Sequence, residues 1–165
     1  MAFAQRTGGT GGVSVAFRRE SDEEHLEPSF AIPIPPGRNL VTAAGREAIA
    51  ARVAELEALP PPVDDEKARK ALLRDVTYWR QRLATAEIMP VPSGETVEFG
   101  CRVRLRLKGK EREIVLVGSD EADPAQGKLA YTAPLARAVM GAAAGDLVDF
   151  NGEDAVIDVL AVEPA

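Results

Sequence analysis

The spacing of apolar residues in the first half of the chain predicts two helices. Ile49, Val53 and Leu56 fall at i, i+4 and i+7, on one face of a helix that begins after Thr42. Three consecutive prolines then end this helix, because proline lacks a backbone N–H. A second helix begins near Asp64 or Asp65, and its apolar seam has heptad-like spacing through Ala68, Leu72, Val76, Trp79, Leu83 and Ala86. The pattern predicts an antiparallel hairpin, a short coiled coil roughly 25 to 33 Å long.

Beyond Pro90 the pattern changes to the alternation of apolar and charged residues that is typical of a half-buried β-strand. This first strand is predicted from Val97 to Leu107, and Gly109 with the lysine after it predicts a turn into the next strand. Further strands are predicted at 114–117, 128–131, 147–150 and 154–162. Pro134 predicts the start of a short helix. We therefore expect a small antiparallel sheet with one short helix.

Three segments follow from these patterns. The patterns predict a disordered or extended tail at residues 1–38, the helical hairpin at residues 39–89 and the sheet domain at residues 95–165. The tail is rich in glycine, then in charge, then in proline, and such composition buries too little apolar surface to offset chain entropy. Short apolar pieces around Phe17 and from Phe30 to Ile34 are candidates to dock on the folded part in extended form. The fold class is α+β.

Composition removes most familiar chemistries. The chain has 165 residues, a net charge of -6, one cysteine and one histidine. Cys101 alone excludes an internal disulfide or a cysteine-based zinc site, and His25 alone leaves little room for a histidine-dependent triad. No apolar run approaches the ~18 residues of a membrane helix, and no signal sequence is evident, so a cytoplasmic protein without a membrane partner is expected. The acidic balance argues against general duplex-DNA binding.

A first acidic cluster is predicted at the far end of the hairpin. Asp64, Asp65 and Glu66 either complement the dipole of the second helix or form a carboxylate group that completes a metal site of another protein. Lys67 and the basic residues after it partly neutralise this end. We predict no metal site within the chain itself.

A second acidic cluster follows the predicted strand at 114–117. Asp120, Glu121 and Asp123 lack the ligand spacing of a calcium loop, so we interpret them as a solvated loop used as a partner contact. The basic residues on one face of the first strand are interpreted as a solvated face paired with acidic neighbours, with nucleic-acid phosphates as the other reading. These residues are Arg102, Arg104, Arg106 and Lys108.

The region from Val97 to Val162 resembles the C-terminal domain of the Gre transcript-cleavage factors of bacterial RNA polymerase. The resemblance rests on VEFG at 97–100, IVLVGSDEAD at 114–123, GKLAYTAPLARAVMG at 127–141 and AGD at 144–146. Residues 40–45, LVTAAG, also resemble the opening of the family's coiled-coil domain.

The resemblance implies an FKBP-like domain that docks on the polymerase rim at the secondary channel, with a hairpin that points into the channel. Docking would use Asp120, Glu121, Asp123, Pro134, Leu135, Ala136 and Arg137. Such a factor is not an enzyme but stimulates the polymerase's own RNA cleavage. It needs no cofactor, because Mg²⁺ is held in the polymerase active site. Nascent RNA is a further candidate contact.

The sequence departs from the family at the hairpin tip. The chain between Gly45 and Phe99 is shorter than the family norm, and the Gly-Asp-x-x-Glu-Asn motif of cleavage-competent members is absent. We therefore expect a short coiled-coil variant. An elongation regulator of the Gre type and a Rnk-like competitor that occupies the channel without stimulating cleavage both fit. An FKBP-type peptidyl-prolyl isomerase and an interaction module with a different partner remain as further alternatives.

Overall fold

The computed structural model of the protein describes residues 31–165; the tail residues before them, with Phe17, His25 and Phe30, lie outside this range. The helices are α1 (Ala43–Ala58), α2 (Glu66–Ala84) and α3 (Pro134–Val139), with 3₁₀ turns at Ser119–Glu121 and Pro124–Gln126. The strands are β1 (Leu40–Val41), β2 (Glu87–Ile88), β3 (Cys101–Leu107), β4 (Lys110–Val117), β5 (Lys128–Ala130), β6 (Leu147–Phe150) and β7 (Glu153–Pro164). The α+β class is confirmed.

The helical hairpin forms as the apolar spacing predicts. Thr42 is the N-cap of α1, and its hydroxyl accepts a bond from the backbone N–H of Gly45 at 2.9 Å. Ile49, Val53 and Leu56 are buried, so the predicted face of α1 is the one that packs against α2. At 1.5 Å per residue, α1 spans about 24 Å and α2 about 28 Å. The two helices pack along their length and meet the sheet domain at their base.

The sheet domain is built on five strands in the order β5-β4-β3-β7-β6. Alternate residues of β3, namely Cys101, Val103 and Leu105, are fully buried, and the helix α3 contributes Ala136 and Val139 to the same core. The β3–β4 and β6–β7 turns are tight because Gly109 and Gly152 have positive φ, as two-residue hairpins require.

Three details differ from the sequence prediction. The first strand begins at Cys101 rather than Val97, because Gly100 turns the chain with φ +84°. The edge strand β5 runs parallel to β4, so the sheet is mixed rather than wholly antiparallel. The strands β1 and β2, of two residues each, form a parallel pair at the base of the hairpin that periodicity does not reveal. Their backbone bonds join the two ends of the hairpin segment.

The end of the tail lies along the hairpin. Ile32 and Ile34 line a cavity of about 440 Å³ with residues of α2, among them Leu73 and Tyr78. At the base, Arg38 pairs with Glu87 at 2.5 Å. Residues 31–34 thus lie beside α2, where the apolar piece from Phe30 to Ile34 is predicted to dock, and that docking stays a prediction. Among residues 31–165, no helix has the length and apolarity to cross a bilayer.

Candidate functional site

The acidic residues predicted at the hairpin tip do lie there, but two of them have local partners. Asp65 is the N-cap of α2 and accepts a bond from the backbone N–H of Ala68 at 2.9 Å. Glu66 pairs with Lys70 at 2.8 Å, and this hydrogen bond lowers the pKa of the Glu66 carboxyl group. The dipole and capping interpretation of this cluster is therefore supported by its contacts.

The rest of the tip is apolar. The turn between the helices carries Val63, which is 84% exposed, and Leu59, which is half exposed. Arg69 folds back to donate to the backbone carbonyls of Pro62 and Val63, each at 3.3 Å. Within residues 31–165 no group of three potential ligands is placed to hold a metal ion. The tip presents an apolar turn beside three exposed acidic residues, of which Asp64 alone has neither a capping bond nor an ion pair among the contacts described above.

Asp120 lies in the interface between the hairpin and the sheet domain. Arg82 donates from Nε to its Oδ2 at 2.5 Å, and the phenol of Tyr78 donates to its Oδ1 at 2.6 Å. The side chains of Arg82 and Asp120 are 3% and 5% exposed, so this is a buried ion pair. Burial, followed by the hydrogen bond to Asp120, raises the pKa of Tyr78 to about 12.

Glu121 joins the other helix to the same turn. Its carboxylate accepts bonds from the backbone N–H of Thr42 at 3.0 Å, from the Thr42 hydroxyl, and from the backbone N–H of Gly118 at 3.1 Å. It therefore sits at the N-terminus of α1, where the helix dipole favours negative charge. A Cβ placed on Gly45 would overlap this carboxylate, so the approach requires glycine there.

The remaining residues of the predicted docking set are placed differently. Asp123 caps the second 3₁₀ turn by accepting from the backbone N–H of Ala125 at 3.1 Å. On α3, Pro134 and Arg137 are exposed, Leu135 is half-buried, and Ala136 lies fully in the core. Pro134 and Arg137 are thus available to a partner, whereas Ala136 can act only by packing. That these residues contact a polymerase stays a prediction.

Three of the four residues of the basic strip are paired with acidic neighbours. Arg106 pairs with Glu111 at 2.9 Å and with Asp158 at 3.3 Å, and Lys108 pairs with Glu153. These pairs are solvent-exposed, so each contributes little to stability. Their geometry supports the interpretation of a solvated sheet face over a phosphate-binding strip.

Two other candidate groups are structural. Cys101 is fully buried in the core, and burial raises the pKa of its thiol, which disfavours the reactive thiolate. Phe99 is 7% exposed and packs edge-on against Tyr131, with ring centroids 5.6 Å apart. The cavity of about 470 Å³ beside Phe99 has no second aromatic among the described residues that line it. The geometry therefore gives no support to a prolyl-isomerase pocket.

Sequence reasoning missed the contacts between the two halves. It gave Tyr78 and Arg82 no role in a site, whereas both bind Asp120 across the interface. It treated Glu121 as a solvated loop residue, whereas Glu121 caps α1. The one signal available was Arg82, a charged residue directly beside the seam residue Leu83.

The fold and these contacts define a class of protein: a mixed-sheet domain that carries a helical hairpin, with the base of the hairpin held to the sheet domain by Asp120 and Glu121. A family model described as the C-terminal domain of the transcription elongation factors GreA/GreB matches residues 92–164. This part of the chain, residues 92–164, is therefore similar to the C-terminal domain of the GreA/GreB factors.

Individual relatives are similar over part of the chain. The transcription elongation factor GreA of Rhodopseudomonas palustris is 44% identical over 72 residues, which cover 41% of this chain and 46% of the relative. GreA of Sinorhizobium medicae is 36% identical over 87 residues, covering 49% of this chain and 55% of the relative. The chain thus spans about half the length of the curated relatives it matches.

Solved structures are similar at lower sequence identity. The GreA factor homolog 1 (Gfh1) of Thermus thermophilus is 19% identical, with 77% of this chain and 99% of that chain covered and a TM-score of 0.35. GreA/GreB from Nitrosomonas europaea is 22% identical, with coverage of 77% and 98% and a TM-score of 0.36.

Proposed function

We propose that this protein binds bacterial RNA polymerase and regulates transcript elongation, with the sheet domain on the rim of the secondary channel and the hairpin directed into it. The observation that carries the proposal is a GreA/GreB C-terminal domain joined at its base to an antiparallel hairpin. The protein acts on the polymerase and is not itself an enzyme. Its work is binding and positioning, so it needs no cofactor of its own.

The docking step is tested by binding to bacterial core polymerase. Wild-type protein is expected to bind at micromolar concentration or below, and Arg137→Glu, which reverses an exposed charge on α3, is expected to weaken binding about tenfold, or about 1.4 kcal/mol. Arg104→Glu is the matched control, because Arg104 is also exposed but lies on β3. Absence of wild-type binding contradicts the proposal, and equal loss in both variants contradicts the docking face.

A second candidate is occupation of the channel without stimulation of RNA cleavage. It is favoured by the tip, where Asp65 and Glu66 are engaged in capping and in an ion pair while apolar residues are exposed. First-shell binding of Mg²⁺ needs oxygen atoms at about 2.1 Å in near-octahedral geometry, which a carboxylate committed to a helix N-terminus supplies poorly.

The two candidates are separated by a stalled elongation complex in which shortening of the RNA 3′ end is followed. A cleavage-stimulating factor accelerates shortening, and the triple variant with Ala at 64, 65 and 66 abolishes the acceleration. A channel occupant gives no acceleration and slows cleavage that is stimulated by an added Gre factor. In that case the triple variant competes about as well as wild type.

A further inference from the structure

Two polar contacts, one buried and one partly buried, connect the hairpin to the sheet domain, and we call them together the joint. One is the Arg82–Asp120 pair with the phenol of Tyr78, and the other is Glu121 at the N-terminus of α1. Both acids belong to one short 3₁₀ turn, Ser119–Glu121. This single turn of the sheet domain therefore contacts the C-terminal part of α2 and also Thr42, the residue just before α1.

The joint is fully engaged. Both oxygens of Asp120 have a donor, and the carboxylate of Glu121 accepts from two residues. Arg82 is further held because its backbone carbonyl accepts from Nδ2 of Asn39 at 2.7 Å. Removing two charges from water costs free energy that their attraction only partly returns, so the net stability gained from such a pair is small. Its geometric effect is larger, because short directional bonds on both helices restrict rotation at the base.

We propose that Asp120 and Glu121 are positioning residues that set the direction of the hairpin relative to the docking domain, rather than residues that touch the partner. This inference rests on the proposed function and assigns the two acids a different role from the one the family resemblance implies. The side chain of Asp120 is 5% exposed and has almost no surface to offer a partner, and the partly buried carboxylate of Glu121 is already held by Thr42 and Gly118. The hairpin tip lies about 24 to 28 Å from the joint, so a small rotation at the base displaces it by several ångströms.

The direction of the hairpin is measured by the distance between two spin labels. Asp64→Cys places one label at the exposed tip and Lys110→Cys the other at the far end of the sheet, in a Cys101→Ala background. The parent is expected to give one narrow distance distribution. Asp120→Asn and Glu121→Gln are expected to broaden or shift it by several ångströms, whereas Asp123→Asn, on the same loop but outside the joint, leaves it unchanged.

Helicity by circular dichroism checks that the variants fold. Asp120→Asn leaves Arg82 buried without its charged partner, so the double variant Arg82→Met with Asp120→Leu is measured as well, because it removes both charges. It too is expected to broaden the distribution while it retains helicity. An unchanged narrow distribution in folded variants overturns the proposal.

A second experiment compares how the joint variants bind polymerase with how they affect elongation. Joint variants are expected to bind core polymerase within about twofold of wild type, since Pro134 and Arg137 are untouched. They are expected to lose about tenfold or more of the effect on a stalled complex, because misplacement of about 1 Å can cost on the order of 100-fold in rate. If wild type binds but Asp120→Asn loses binding with its label distance unchanged, Asp120 is a direct contact and the proposal is wrong. Failure of wild type itself to bind instead contradicts the proposed function.

Discussion

Gly45 leaves the space that the carboxylate of Glu121 occupies at the start of the hairpin. A Cβ at residue 45 would overlap that carboxylate, although Gly45 itself lies in the first turn of α1 and is buried. The hydroxyl of Thr42 lies between them: it accepts from the Gly45 N–H at 2.9 Å and donates to Glu121. The cap of the helix and the attachment of the helix to the sheet domain are therefore the same group of atoms.

The Gly45→Ala variant is expected to be destabilised, against its helix propensity. In a free helix this change stabilises by about 1 kcal/mol. Here the methyl group displaces Glu121 and leaves the N–H groups it satisfies without a partner, so we expect a net loss of about 1 to 3 kcal/mol in urea unfolding. In a Glu121→Ala background the same change is expected to be neutral or stabilising. A stabilised single variant would contradict this account.

The parts of the fold that depend on local chemistry could be predicted from the sequence. Thr42 and Asp65 cap their helices with their own side chains, and the seam beginning at Ala68 follows from spacing alone. The predicted start of β3 was wrong because period-2 alternation continues through Val97 and Phe99, while the turn at Gly100 interrupts the strand.

The joint could not be predicted in the same way. Asp120 is 38 residues from Arg82, and which residues of the hairpin base meet the 3₁₀ turn depends on how the hairpin and the sheet domain pack together. In the sequence, Asp120 and Glu121 look like an ordinary acidic loop, because their burial is a tertiary property. The family resemblance located this loop as important, yet it did not distinguish an internal contact from a partner contact.

At the hairpin tip, replacing Asp65 is expected to lower the free energy of unfolding more than replacing Asp64, although the two are neighbouring aspartates. Asp65→Ala removes the cap of α2 and should cost about 1 kcal/mol in the free energy of unfolding, with a range of about 0.5 to 2. Asp64→Ala should stay within about 0.5 kcal/mol, because Asp64 is exposed. Urea unfolding of both variants measures the difference, and equal values would show that the cap contributes nothing.

The extended segment before the hairpin is expected to stabilise α2. Ile32 is half-buried on the groove that it shares with Leu73, which is 67% exposed. Ile32→Ser should therefore lower the free energy of unfolding by about 1 kcal/mol, a part of the value for full burial. Val63→Ser, at a position 84% exposed, is the control and should have little effect. An Ile32→Ser variant as stable as the control would mean that this segment does not dock in solution.

Tyr78 is expected to ionise near pH 12 in the folded protein, because burial and the hydrogen bond to Asp120 favour the neutral phenol. An unfolded tyrosine has a pKa of about 10. Between these two values the unfolded chain releases the phenolic proton while the folded protein keeps it, so the free energy of unfolding falls as the pH rises from about 10 to 12. Below about pH 10 both states hold the proton, and the contribution is fully present.

The titration is measured by tyrosinate absorbance in a Tyr131→Phe variant, since the chain has 2 tyrosines and this leaves Tyr78 as the reporter. Asp120→Asn replaces the charged acceptor with a neutral one, so it should move the apparent pKa of Tyr78 back toward 10. A Tyr78 that titrates near 10 in the folded Tyr131→Phe protein would contradict the buried contact with Asp120. Because Arg82 binds the same carboxylate, that result would also weaken the case for a fixed joint.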